Sequence, residues 1–338
     1  MDARERVLRT LEFRGPDRLP LDLWVLPAAV LEHGEALEQL LAENENDITG
    51  VAGPHDMGAN PQYYERGTMT DEWGNGWLNL QGGMIGEVKH PALEDFSRAA
   101  AFEAPTQSFV NLWAQQEARI QADVASQHER GKFVCGGGIS LFERMQYLRG
   151  TEALYCDIAD GGAELDTILG IVMDYYRVYV EHWLGTDVDG ICFGDDWGCQ
   201  RSLLIRPDAW RELFKPLYAE LISKIKATGK KVLFHSDGYI MDIYPDLIDM
   251  GVDAINSQLW CMDIGLIAKR YAGKITFRGE ISRQTTIPFG TPEDIRGCIK
   301  RMKQLFDTGK GGLIAQSEVG GKVPFENIET LLSAWYSD

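Results

Sequence analysis

Short apolar segments rich in β-branched residues alternate with longer amphipathic segments from about residue 130 onward. Each short segment precedes a turn and then a helix-like stretch, which is typical of βα units around a parallel sheet. Two further short segments lie upstream. The pattern therefore predicts eight strands, at Leu19–Trp24, Asp47–Val51, Phe133–Gly137, Gly190–Phe193, Lys231–Phe234, Ala254–Asn256, Lys274–Arg278 and Gly312–Ala315.

Two of the intervening helices have recognisable N-terminal signals. The segment Arg206-Pro207-Asp208 predicts a helix that runs to Thr228-Gly229, and Thr291-Pro292-Glu293-Asp294 predicts another that runs to Gly309. Proline in the first turn, followed by acidic residues, is typical of a helix start. Eight βα units favour a (β/α)8 barrel over a doubly wound sheet, and in both architectures functional residues lie at the C-terminal ends of the strands.

The composition is that of one globular domain, which we expect to span residues 1–338. With 338 residues, 44% of them hydrophobic, the chain can bury one large core, and it has no linker or low-complexity stretch. It lacks a run of about 18 uncharged apolar residues that would predict a membrane span, and the charged start MDARERVLRT has no apolar signal segment. We therefore expect a cytoplasmic protein.

Charge and cysteine usage exclude several classes of partner. The 33 basic and 51 acidic residues give a formal net charge of -18, which repels nucleic acids and anionic membranes. The six cysteines lie far apart without a CxxC pair, so neither a disulfide framework nor a closed zinc knuckle is expected. A small molecule remains the expected ligand.

Polar side chains follow most of the predicted strands at the points where they end. Residues two apart on such a segment point to the same side, so His235 and Asp237 can both face a barrel mouth, as can Gln316 and Glu318. This ring of polar groups is the predicted functional site. Its members are Glu143, Asp195, Asp196, His235, Asp237, Gln258, Arg278, Glu280, Gln316 and Glu318.

His235 is the central candidate in this ring. It ends the apolar run Val232–Phe234, where a barrel enzyme presents a metal ligand or an acid–base group. With Asp237 and Glu318 or Glu143, it offers the mixed nitrogen and oxygen ligand set that zinc accepts. The alternative is a structural histidine whose nitrogens are satisfied by hydrogen bonds.

The DDWG segment that starts at Asp195 places two carboxylates beside an aromatic ring. Such a group can bind the polar head of a ligand and stack against its planar body. We expect Asp195, Trp197 and the nearby Gln200 to contact substrate. Asp196 and Glu143 are candidate catalytic groups. Either aspartate can instead cap the helix that follows, since aspartate is a favoured N-cap residue.

Further candidate substrate-binding residues follow other strands. Trp24 and Trp260 lie just beyond predicted strands, where they would wall a cavity together with Trp197. Such walls favour an aromatic or otherwise bulky apolar ligand. His55, after the second predicted strand, and Arg278 complete the set. The alternative is that these tryptophans are core residues.

Four segments of the sequence resemble the uroporphyrinogen decarboxylase superfamily. They are ERVLRTLEFRGPDRLPLDLW, GDDWGCQRSLLIRPDAWRELFKPLY, KVLFHSDGYIMDIYPDLIDMGVDAINSQ and GEISRQTTIPFGTPEDIR. The resemblance spans nearly the whole chain and implies a (β/α)8 barrel with a deep mouth at the strand C-termini, in agreement with the predicted order of elements. Function does not follow from the fold, because this superfamily hosts at least two chemistries.

Within the superfamily, the chain resembles the branch of corrinoid-dependent methyltransferases. That resemblance implies a zinc ion, which the branch holds with an HxC pair and a later cysteine. Here these positions read His235-Ser236-Asp237 and Gln316-Ser317-Glu318. Oxygen ligands in place of thiolates suit the polarisation of an ether or hydroxyl oxygen. We therefore expect a methyltransferase that demethylates a methoxylated, aromatic substrate with metal or acid assistance at His235.

The resemblance also implies a corrinoid, which we expect on a separate partner protein. The usual DxHxxG cobalt-ligand motif is absent, because the nearest match, His55-x-x-Gly58, has Gly53 in place of the aspartate. The corrinoid protein would then dock transiently at the barrel mouth. A homodimer is compatible with the resemblance, although composition identifies no interface.

Two alternatives to methyl transfer stay open. The first is cofactor-free decarboxylation of a carboxylated substrate, carried by Arg278 and one of the aspartates. The decarboxylase itself binds the carboxylates of its substrate with an N-terminal, arginine-rich RQAGR segment. This chain lacks that segment and has the apolar stretch Trp24–Ala28 after its first predicted strand. The second is a non-catalytic barrel that binds a tetrapyrrole or a corrinoid.

Overall fold

Eight parallel strands form a nearly closed barrel, as the sequence predicted. The computed structural model describes residues 1–337. Its strands are β1 Leu21–Val25, β2 Ile48–Gly50, β3 Gly67–Thr70, β4 Gly76–Asn79, β5 Glu87–His90, β6 Phe133–Ile139, β7 Gly190–Gly194, β8 Lys231–Ser236, β9 Ala254–Ser257, β10 Thr276–Arg278 and β11 Leu313–Val319. The barrel order is β1-β11-β10-β9-β8-β7-β6-β2, so all eight predicted strands are confirmed.

Side chains close the barrel where β1 meets β2. The backbone N–H of Asp47 donates to the carbonyl of Leu21 at 2.8 Å, and the Asp47 carboxylate accepts from the Leu21 N–H at 2.6 Å. The Asn46 amide accepts from the N–H of Leu23 and donates to its carbonyl, both at 2.8 Å. These contacts satisfy backbone groups that a regular strand pair would otherwise satisfy.

Helices alternate with the barrel strands along the chain. They are α1 Ala3–Leu11, α2 Pro27–Glu43, α3 Thr106–Glu129, α4 Leu141–Arg149, α5 Thr151–Asp160, α6 Ala163–Leu184, α7 Pro207–Leu213, α8 Lys215–Ala227, α9 Tyr244–Met250, α10 Ile264–Tyr271, α11 Thr286–Phe289, α12 Pro292–Phe306 and α13 Phe325–Ala334. Within residues 1–337, none of these helices is long and apolar enough to cross a membrane.

Both predicted helix starts are confirmed. One of the two predicted helices is divided into two helices in the structure. At the start of α12, Thr291 and Asp294 cap each other's backbone N–H groups. The helix predicted to run to Thr228 breaks at Phe214 into α7 and α8. Pro216 has no N–H to continue the hydrogen bonds of α7, and a proline in the first turn suits the start of α8.

Helix α1 covers the N-terminal end of the barrel. Its Val7 and Leu11 are buried against Ile48, Phe133 and Leu233 from three different strands. Large, fully buried side chains on helices α6 to α9 fill the layer between helices and strands. Helices thus pack around the outside of the strands and across their N-terminal ends. The C-terminal ends of the strands are left to form a mouth.

The stretch between β2 and α3 contains structure that the apolar pattern did not predict. Strands β3, β4 and β5 form a separate antiparallel sheet. Each of these strands has four residues, too few for a clear alternation of apolar and polar positions. The connection from β4 to β5 brings Ile85 to the barrel mouth.

Replacing Asp47 with asparagine tests the closure of the barrel. Its buried carboxylate accepts hydrogen bonds from Arg6 and from the Leu21 N–H. Because the amide carries no charge for Arg6, we expect Asp47→Asn to lower the free energy of unfolding by about 2–4 kcal/mol in urea titrations. Asp208→Asn, which removes an exposed carboxylate beside Arg211, should change it by less than about 0.5 kcal/mol. Equal stability of the two variants would contradict this role.

Candidate functional site

The loops that follow β7 and β8 cross at the barrel mouth, with Gly198 and Gly238 in contact. The Gly198 N–H donates to the carbonyl of Asp237 at 3.1 Å. A Cβ on Gly238 would lie 2.1 Å from the Gly198 carbonyl oxygen, and one on Gly198 would lie 2.4 Å from the backbone nitrogen of Tyr239. Only glycine permits this approach of two backbones. The crossing holds Asp196 and Asp237 on adjacent loops.

His235, at the end of β8, has its ring fixed by Asn256 of β9. The Asn256 amide nitrogen donates to the carbonyl of Arg278 at 2.6 Å and to the side chain of Gln316 at 3.0 Å, so its oxygen faces His235. Nδ1 of His235 therefore donates to that oxygen, at 2.5 Å. The hydrogen bond leaves the lone pair on Nε2, which faces the mouth and is free to bind a metal or accept a proton.

Asp196 and Asp237 face this nitrogen from the two crossing loops. Nε2 of His235 lies 3.5 Å from Oδ1 of Asp196 and 3.6 Å from Oδ1 of Asp237. The backbone N–H of Asp237 donates to Oδ1 of Asp196 at 2.8 Å. Burial raises the pKa of the Asp196 carboxyl, while His235 opposes that shift. The structure thus brings together a mouth triad of Asp196, His235 and Asp237.

A divalent cation fits the mouth triad. One ligand atom from each of the three residues lies within 4.8 Å of the other two. Oδ1 of Asp237 is buried without a hydrogen-bond partner, and a cation would satisfy this acceptor. One imidazole nitrogen and two carboxylate oxygens can hold zinc with a further position open for substrate. Asp196 occupies the place in this set that was predicted for Glu318 or Glu143.

Glu318 instead pairs with Arg283, which the sequence analysis did not single out. Arg283 contacts Oε1 of Glu318 at 2.7 Å and also forms an ion pair with Oδ2 of Asp237. Burial raises the pKa of neighbouring Glu280 to about 8, although Arg283 opposes the shift. The sequence offered one signal for Arg283: this arginine lies three residues after Glu280, a member of the predicted ring of polar groups. Arg283 holds Asp237 with its second oxygen turned to His235.

Asp195 anchors helix α4 to the end of β7. Its fully buried carboxylate accepts from the backbone N–H groups of Leu141, Phe142 and Glu143 at 2.6 to 3.0 Å, and from the hydroxyl of Tyr218. Burial raises its pKa to about 6, although these hydrogen bonds oppose the shift. Asp195 therefore does cap a helix, but it is α4, earlier in the chain, and not the helix that follows. The capped N–H groups occupy the carboxylate expected to bind substrate.

Glu143 lies on α4 at the edge of the mouth triad. Its carboxyl accepts from the hydroxyls of Ser140 and Tyr147, each at 3.2 Å. Burial, followed by the negative charge of Asp196, raises its pKa to about 8. At neutral pH this carboxyl is therefore largely protonated, which suits a proton donor.

A cavity of about 340 Å³ lies between the mouth triad and helices α4 and α6. Glu143, Asp196 and His235 line one part of it, and aromatic rings line another. Its size suits a small-molecule ligand. The aromatic lining was not predicted from the sequence, because tyrosines at helical spacing are typical of a core-facing helix. These rings belong to Tyr147, Tyr175, Tyr176 and Tyr179.

Three predicted substrate-binding residues lie close to this cavity. His55 lines it, and burial lowers the pKa of its imidazole to about 4. The Trp24 ring lies 5.5 Å from that of His235, between their centroids. Arg278 lies 4.7 Å from the Trp24 centroid, but its guanidinium is paired with buried Asp22 inside the barrel. Arg278 is thus engaged by the protein itself.

Three others lie outside the cavity lining. Trp197 is fully buried and stacks on Phe142, with centroids 4.1 Å apart. Trp260 donates to the carbonyl of Glu280 at 2.7 Å and borders a separate open groove at α11 and α12. Gln200 is exposed, and its amide nitrogen lies 3.4 Å from the side-chain oxygen of Gln258.

Metal analysis of purified variants tests the mouth triad as a cation site. We expect about one zinc per chain in the wild type. His235→Ala and Asp237→Asn each remove a ligand atom, so we expect both to lose this zinc. His128→Ala is the matched control, because its imidazole pairs with Asp189 at the opposite end of β7. Elemental analysis gives the zinc content, and an unchanged content in His235→Ala would rule out this ligand set.

Comparison with known proteins agrees with the fold. The methyltransferase from Methanosarcina mazei superposes with a TM-score of 0.71 at 13% sequence identity, covering 99% of this chain and 98% of that chain. The YdhT protein from Bacillus subtilis, also 13% identical, covers 99% and 88% with a TM-score of 0.47. No curated protein matches the sequence significantly. The model of the uroporphyrinogen decarboxylase (URO-D) family matches residues 119–337, more than half of the chain, and the protein therefore belongs to that family.

Proposed function

We propose that this protein is a single-domain methyltransferase that moves a methyl group from a methoxylated, aromatic substrate to a corrinoid on a separate protein. Membership of the URO-D family and the fold shared with the Methanosarcina mazei methyltransferase support this proposal. The observation that carries it is the mouth triad beside an aromatic cavity. Cleavage of a methyl ether requires stabilisation of the oxygen that keeps the bonding electrons, and a cation held by the triad would supply it.

The cavity would hold the aromatic ring of the substrate with its ether oxygen toward His235. The tyrosines of α6 and Tyr147 of α4 offer ring faces and edges for this contact. Asn256 holds the His235 ring so that Nε2 points to the mouth. A zinc ion bound at the mouth triad would act as a Lewis acid toward the ether oxygen.

The residues of this chain also handle the proton of the reaction. The methyl group passes to the reduced corrinoid of the partner, and the electron pair of the broken C–O bond stays on the substrate oxygen. Glu143 donates its proton to that oxygen, so that the product leaves as a phenol. Ser140 and Tyr147 orient the Glu143 carboxyl during this step.

The separate sheet gives the corrinoid protein an apolar rim to contact. Leu80, Met84 and Ile85, at the turn between β4 and β5, are all exposed, and Ile85 borders the cavity. A partner that covers this rim would bring its corrinoid to the open side of the cavity. Exclusion of water there would strengthen the electrostatic contacts of the site.

Decarboxylation carried by Arg278 has less support in the geometry. That hypothesis depended on Arg278 to bind a substrate carboxylate. The Arg278 guanidinium is buried in the barrel and paired with Asp22, so its charge is already neutralised. A binding-only barrel would not need a protonated Glu143 beside the mouth triad. Methyl transfer uses both Glu143 and the mouth triad.

Turnover of a methoxylated benzene with a reduced corrinoid protein tests the proposal. We expect the absorbance spectrum to report methylation of the corrinoid only when enzyme, substrate and corrinoid are all present. His235→Ala should lower kcat about 10²–10³-fold, because it removes a ligand of the cation that would stabilise charge on the leaving oxygen. His128→Ala should retain full activity. Carbon dioxide release without corrinoid would instead favour decarboxylation and overturn the proposal.

The pH profile of the same reaction tests Glu143 as proton donor. Because the pKa of Glu143 is raised to about 8, its carboxyl is protonated below that pH and loses its proton above it. We therefore expect kcat to fall as the pH rises through about 8. Glu143→Gln, which is nearly isosteric but has no acidic proton, should lower kcat about 10²–10⁴-fold and remove this fall. A Gln variant with the wild-type profile would exclude the role.

A further inference from the structure

Arg144 is the one arginine or lysine among the described residues that line the cavity. It follows Glu143 on α4, and it is 5% exposed. Its Nε and Nη1 are buried without any hydrogen-bond partner. Buried guanidinium N–H groups nearly always have hydrogen-bond acceptors. The missing acceptor for Arg144 can be supplied by a ligand.

The nearest carboxylate does not satisfy these groups. Asp71 lies 3.6 Å from Nη1 of Arg144, beyond hydrogen-bond distance. The Asp71 carboxylate already accepts from the backbone N–H groups of Trp73 and Asn75, and from the side chains of Asn75 and Trp77, at 2.8 to 3.0 Å. Asp71 thus stabilises the turn before β4. Nη2 of Arg144 contacts the Met57 sulfur at 3.7 Å, which leaves Nε and Nη1 for another acceptor.

Aromatic rings hold the guanidinium in place. Its central carbon lies 5.0 Å from the ring centroid of Trp73 and 5.5 Å from that of Tyr147. These cation–π contacts orient the cation without using its N–H groups. His55 lines the same cavity, and its Nε2 is also buried without a partner. Two unpartnered polar groups therefore border the same cavity.

We propose that Arg144 binds the carboxylate of the substrate, which makes the substrate a methoxylated aromatic acid. This inference rests on the proposed methyl transfer. The fork of a guanidinium matches a carboxylate, and such charge-assisted bonds are the strong ones. Arg144 of α4 and His235 at the end of β8 line the same cavity. A single ring with its acid and methoxyl groups at opposite ends can direct the acid to Arg144 and the methoxyl oxygen to His235, while the tyrosines of α6 would contact its faces.

Calorimetric titration with 4-methoxybenzoate and its neutral analogue 4-methoxybenzamide tests this site. We expect the wild type to bind the acid about 10- to 100-fold more tightly than the amide, as charged hydrogen bonds require. Arg144→Gln should abolish this preference by weakening the acid alone. Arg177→Gln, which removes an arginine of α6 paired with Glu220 on α8, is the matched control and should keep the preference. Equal binding of acid and amide by the wild type would overturn the inference.

The outcomes separate this inference from the proposed function, because the titration needs no corrinoid. Preference for the acid without corrinoid methylation would leave the carboxylate site standing and refute methyl transfer. Methylation of the corrinoid at equal rates from the acid and the amide would support methyl transfer and refute the carboxylate site. If Arg144→Gln does not fold, as its thermal unfolding would show, Arg144→Lys decides. Lysine keeps the charge but lacks the fork, so we expect it to retain part of the preference.

Discussion

The crossing of two glycines at the barrel mouth is the contact on which the site depends. Side chains on adjacent parallel strands are separated by the strand spacing, which alone would leave Asp196 and Asp237 apart. Because neither Gly198 nor Gly238 has a Cβ, the loops after β7 and β8 approach until their backbones touch. The Asp237 N–H then reaches the Asp196 carboxylate, and both acids face His235. The geometry of the mouth triad is thus a property of the backbone.

Several acids gathered at one end of a barrel repel each other unless protons or cations neutralise them. The structure uses both means. Glu143 and Glu280 have pKa values raised to about 8 by burial, so both are largely uncharged at neutral pH. Arg283 neutralises Glu318 and one oxygen of Asp237. The charge left uncompensated lies at the mouth triad, where a cation would complete the balance.

The sequence predicted the barrel well and the site in part, for different physical reasons. The strands follow from local runs of apolar residues, and His235 and Asp237 follow from the end of one such run. Trp197 shows the limit, because its place after β7 did not reveal that Phe142 from another element buries it. Arg144 and Arg283 were missed for the same reason, since an arginine becomes significant only through groups distant in sequence. The separate sheet has strands too short to leave a pattern.

Helix α4 couples the two ends of the cavity. Asp195, at the end of β7, binds the first N–H groups of α4, which places consecutive residues Glu143 and Arg144 at fixed positions relative to the barrel. Residues i and i+1 on a helix point about 100° apart, so one can face the mouth triad while the other reaches Trp73 and Tyr147. Asp195 thereby sets where Glu143, the proposed proton donor, and Arg144, the proposed anion-binding group, stand relative to the mouth triad. Specificity and chemistry in this site would therefore change together if the cap were lost.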